Sequence, residues 1–164
     1  MLNFLQEIEP SIEAIEYIVQ GMKMIADLDG FDPREEFLIK EFFELCCEDV
    51  SCDKTFDEVL KKKFDIDKAI KVLNTKELKE IFFKSCYLVA YADGDFTDNE
   101  NNTINNLITK FDISPVERDR IHKEVKKFII SEFKDIVIFK EHVIKLSADM
   151  GLTEEEVEEI MEKS

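Results

Sequence analysis

Tryptophan is absent from this 164-residue sequence, and glycine occurs only four times and proline three. The glycines, Gly21, Gly30, Gly94 and Gly151, lie too far apart to form either of the Gly-rich loops that cradle nucleotide phosphates. Cysteine is also sparse. Cys46, Cys47, Cys52 and Cys86 lack the paired spacing of a zinc site, and the adjacent Cys46 and Cys47 would point about 100° apart on a helix. The two histidines, His122 and His142, follow Asp119 and Phe139 at the position where a helical diiron site needs glutamate. The thiols are therefore expected to be small free hydrophobes in a reducing cytoplasm. No apolar run reaches the roughly 20 residues that a membrane span requires, and MLNFLQEIEP has neither the basic nor the apolar region of an export signal. Positive charge is scarce as well: 22 Lys and Arg against 38 Asp and Glu leave a net charge of −16. Such a surface repels nucleic acid and anionic lipid and attracts cations or basic partners.

What is present is helix. Hydrophobic residues make up 45% of the sequence and include 14 phenylalanines, enough for one folded domain over residues 1–164. After Pro10, the series Ile12, Ile15, Ile18, Val19, Met22, Ile25 and Ala26 steps by threes and fours, predicting a long helix that ends near Leu28. Asp32, Pro33 and Glu35 then form a helix start, with Phe37, Leu38, Phe42 and Leu45 as the expected core stripe. Two shorter amphipathic stretches follow, Phe56 to Phe64 and Ile66 to Leu73, before a strong helix from Asn74 or Thr75 to the Ala92–Gly94 region. Thr97 with Glu100, Ser114 with Glu117 and Thr153 with Glu156 each repeat the capping pattern. A further apolar series runs through Ile136, Phe139, Val143, Ile144 and Leu146. Period-two alternation is lacking, so the expected fold is an all-α bundle of seven to nine helices.

Two helical hairpins, over about residues 12–47 and 76–111, match one another. Ile25-Ala-Asp-Leu-Asp29-Gly30 runs into Glu35 and Ile39, as Val89-Ala-Tyr-Ala-Asp93-Gly94 runs into Glu100 and Ile104. Each feature can serve simply to turn the chain. The placement of acids asks for more, because Asp27, Asp29 and Asp93 sit at helix C-termini, which disfavour negative charge, and Asp95, Asp98 and Glu100 add to the second turn. Hard cations such as Ca²⁺ or Mg²⁺, rather than Zn²⁺, suit such oxygen-rich loops, although Ile104 stands where an EF-hand needs its bidentate glutamate. No nucleophile or oxyanion donor accompanies the acids, so neither catalysis nor an organic cofactor is expected.

Cys86-Tyr-Leu-Val-Ala-Tyr-Ala-Asp93-Gly94 through Glu100 and Ile104 resembles the signature of the TerB-like family of tellurite-resistance proteins. The first repeat resembles it in degenerate form, with Leu28 before Asp29 and a shortened turn, and the likeness spans about residues 11–150. The resemblance implies an all-helical bundle built on an internal duplication, without known catalysis, linked to stress and tellurite resistance. It also implies metal binding and work with protein partners at the inner membrane face, without insertion into the membrane. Carried onto this chain, the acids in question are Asp29 and Glu35 in the first repeat and Asp93 and Glu100 in the second, with Asp95 added from the acidic turn itself. The alternative reading is a protein-interaction module in which the Asp-Gly turns are purely structural.

Overall fold

The computed structural model describes residues 8–48, 50–92, 96–133, 147–148 and 150–162. Among these residues there are eight α-helices joined by turns and loops, and no strand: α1 (Ile12–Ala26), α2 (Pro33–Glu48), α3 (Phe56–Lys61), α4 (Ile66–Val72), α5 (Lys76–Ala90), α6 (Asp98–Lys110), α7 (Pro115–Phe133) and α8 (Glu154–Glu162). The expected helix through Ile136 to Leu146 falls outside the described residues. The chain divides into two compact units, Leu2–Ser114 and Pro115–Ser164.

In the first unit α1 is the central element. Ser11 caps it by accepting the Ala14 N–H at 3.1 Å, and its Ala14, Ile15, Ile18, Val19, Met22 and Ile25 are fully buried. Helices α2 to α6 all pack against it. The two matched hairpins correspond to α1–α2 and α5–α6. The adjacent phenylalanines of α5 are both interior: Phe82 stacks on Phe64 at 5.8 Å and on Phe111 at 5.2 Å, while Phe83 meets Phe82 and Phe111 edge-on at 5.1 and 5.3 Å. Gly21 of α1 lies directly against the Phe82 ring, which fills the space that a side chain would need.

Helix α2 is rotated from its expected phase. Phe37 is 64% exposed and Leu45 is also exposed, whereas Glu35, Ile39, Phe42 and Phe43 face inward. The rotation follows from the cap: Glu35 turns its carboxylate back to accept the Asp32 N–H at 2.9 Å, and this commits the 35–39–42 side of the helix to the interior.

The cysteines correct a second expectation. Cys47, at the end of α2, is joined to Cys52 by a disulfide, leaving Cys46 and Cys86 as free thiols. Nothing in a separation of five residues distinguished this pair from the reduced thiols expected of the sequence. Cys86 is buried in the core, and burial pushes its thiol pKa up.

In the second unit α7 and α8 pack together. Thr153 and Glu156 form the expected reciprocal cap, with N–H···O distances of 2.9 and 3.1 Å. Lys126 donates to the Met150 carbonyl at 2.8 Å. On α7, burial holds the His122 imidazole down at about 4, helped by Lys126 and Arg118 and opposed by Asp119. The unfolded chain therefore binds a proton at His122 below about pH 6.5 while the native chain does not, so His122 contributes stability above that pH and loses it as pH falls toward 4. Allowing for solvent screening of a half-buried ring, the loss should be about 1–2 kcal/mol. Urea unfolding of wild type and His122→Gln at several pH values measures it: the variant should lack that part of the slope.

Candidate functional site

The connection between α1 and α2 opens with one 3-10 turn, Asp27–Asp29. Gly30 follows at φ +95°, a conformation that costs glycine little and other residues much. Asp27 pairs with Lys23 one turn back at 2.6 Å. Asp32 accepts the Arg34 backbone N–H at 2.8 Å and its guanidinium at 3.0 Å, bonds that hold the Asp32 carboxyl below its ordinary pKa. Part of the acid crowding in this turn is thus met by Lys23 and Arg34.

The connection between α5 and α6 reaches the site from the other hairpin. Phe96 stacks on Tyr91 at 4.6 Å and leans against Tyr87 at 6.2 Å. Burial, then Tyr87 and Glu100, raise the Tyr91 phenol above its usual pKa, so it stays protonated. Thr97 and Glu100 form a complete capping box: the Thr97 N–H donates to Glu100 Oε2 at 2.9 Å, and the Glu100 N–H donates to Thr97 Oγ1 at 3.2 Å.

The first turn meets the start of α6 at Thr97. Its hydroxyl donates to Asp29 Oδ2 at 2.5 Å, across 68 residues of sequence. One hydroxyl therefore caps α6 and ties the second hairpin to the acidic end of the first. Two buried carboxylates play matched roles in the two hairpins, Glu35 at 2% exposure and Glu100 at 1%, each accepting the N–H of its own cap residue. Buried carboxylates are costly unless charge-assisted hydrogen bonds offset their desolvation, and the two caps supply such bonds.

Of the five acids expected to bind metal, Asp29 and Glu100 are brought together through Thr97, and Glu35 caps the neighbouring helix. Asp93 and Asp95 lie outside the described residues. Among the described residues, no three His, Cys, Asp or Glu side chains converge to hold an ion. The residue that sequence reasoning missed is Thr97 as a junction. A cap motif reads the same whether or not its hydroxyl also donates to a distant carboxylate.

Comparison with curated proteins and with solved structures returns no match. The family model described as tellurite resistance protein TerB matches residues 18–123, a range that begins within α1 and takes in the rest of both hairpins and the Thr97–Asp29 contact. The chain belongs to the TerB family of tellurite resistance proteins.

Proposed function

We propose that this is a non-enzymatic cytoplasmic protein of tellurite resistance and stress, working by binding, and that its paired acidic turns take a hard divalent cation. The observation that carries this reading is the hydrogen bond from Thr97 to Asp29, which sets the first Asp-Gly turn beside the segment that follows the second. In this reading Asp29, Asp93 and Asp95 supply oxygen ligands. Glu35 and Glu100 hold the turns through the oxygens engaged in their caps and complete the ligand set. The bound cation would neutralise carboxylates crowded at helix C-termini, and protein partners would sense the ordered turns.

The test is thermal unfolding of chelator-treated protein with Ca²⁺, Mg²⁺, Mn²⁺ or Zn²⁺ at matched ionic strength. At about a hundredfold excess over Kd a single site adds about 2.7 kcal/mol, a rise of roughly 5–10 °C in Tm. Asp93→Asn should abolish that rise. Equal curves for every ion would refute the metal reading.

The second reading, a protein-interaction module, is favoured by Phe37, a large aromatic standing 64% exposed on α2. In that case Phe37→Ser would weaken partner capture while the unfolding curves stayed insensitive to metal.

A further inference from the structure

The disulfide lies where α2 gives way to the loop leading into α3, and its surroundings give it more than a passive role. Both sulfur-bearing residues, Cys47 and Cys52, are half-exposed, so a small thiol or disulfide can reach the bridge. The last turn of α2 carries no basic residue and includes Glu48, with Glu44 one turn earlier, so its helix dipole and its charges oppose one another. Just beyond, Lys54 pairs with Glu16 of α1 at 2.9 Å, and Phe56, the first residue of α3, packs its ring on Phe43 of α2 at 5.7 Å. The bridge thus closes a covalent tie over an electrostatically disfavoured helix end, beside the contact that seats α3. Cys46 adjoins the bridge, but burial pushes its thiol up to about 12, which keeps it protonated and a poor competitor for either bridged sulfur.

We propose that Cys47 and Cys52 are a reversible redox site that exchanges with low-molecular-weight disulfides and thiols such as glutathione, and that its oxidation latches the end of α2 onto the α3 loop. Oxidation consumes one glutathione disulfide. A protein thiolate attacks it, forming a mixed disulfide and releasing one glutathione; the second protein thiolate then displaces the other glutathione and closes the Cys47–Cys52 bond. The protein loses two electrons and two thiol protons, and the oxidant is reduced to two thiols. Reduction by two glutathione molecules reverses every step. In the reduced form, the acidic last turn of α2 frays and the Phe43–Phe56 contact loosens.

The experiment equilibrates the full-length protein in glutathione mixtures from fully reduced to fully oxidised, traps free thiols by alkylation, and maps them by mass spectrometry. The expected result is one two-electron transition within the range of the mixtures, joining Cys47 to Cys52. It should be retained in Cys46→Ser and lost in Cys52→Ser, with Cys86 unreactive until the protein unfolds. Hydrogen exchange across residues 44–56 should accelerate about tenfold on reduction of wild type and show no redox response in Cys52→Ser. A bridge that persists in fully reduced glutathione would make the pair a static staple and overturn the proposal. So would a bridge that never forms, one that recruits Cys46, or exchange rates indifferent to its state.

Discussion

Gly21→Ala is expected to destabilise the protein by about 1–3 kcal/mol, although the same change in an open helix would stabilise it by up to about 1 kcal/mol. A Cβ at this position would stand 2.3 Å from Phe82 Cε2 and 2.9 Å from Cζ. The ring's retreat is restricted, because Phe64, Phe83 and Phe111 all pack against it. Relief must therefore come from moving α1 against α5 at the centre of the core. Phe82→Ala alone should cost about 3–5 kcal/mol through the cavity it leaves. The double variant Gly21→Ala/Phe82→Leu should be more stable than the sum of its single changes predicts, since a smaller side chain relieves the clash. Urea unfolding of wild type, Gly21→Ala, Phe82→Leu and the double variant measures the coupling. A gain in stability from Gly21→Ala alone would show that the ring has room to move.

Glu100→Ala should cost about 2–3 kcal/mol, well above the cost of removing an ordinary surface glutamate. Its carboxylate is buried and accepts the Thr97 N–H, so truncation leaves that donor without its partner and opens a gap beneath the turn. Glu100→Gln keeps an acceptor oxygen and should recover most of the loss. Thr97→Val takes away both duties of the junction at once: it preserves shape while removing the acceptor for the Glu100 N–H and the donor to Asp29. Amide exchange at Thr97, read alongside denaturation, should quicken in Glu100→Ala and remain slow in Glu100→Gln. Equal stability of Glu100→Ala and wild type would mean that the cap contributes nothing to the turn.

The local grammar of this fold was readable because its signals act over three or four residues. Pro33, Thr97 with Glu100 and Thr153 with Glu156 mark helix starts through contacts within one turn, and the structure starts helices there. The apolar series of α1 was equally plain, since a helix enclosed by five neighbours leaves little choice of face. Helix α2 was harder. Phe37 and Leu45 continue a plausible apolar stripe, yet the capping carboxylate of Glu35 sets the phase and turns both outward. The Thr97–Asp29 contact and the Cys47–Cys52 bridge were not legible, for different reasons. The first joins residues 68 apart and leaves no periodic trace; the second depends on how a loop folds back onto a helix end. Of the described site, the caps formed by Glu35 and Glu100 could be read in advance. Its junction could not.

The aromatic packing just ahead of α6 makes the candidate site optically self-reporting. With no tryptophan and three tyrosines in the chain, near-ultraviolet emission arises from Tyr17, Tyr87 and Tyr91. Two of these three fluorophores flank Phe96, immediately before Thr97. Any event that reorders the turn alters the surroundings of most of the protein's emitters, so an unlabelled titration followed at tyrosine wavelengths registers occupancy where it matters.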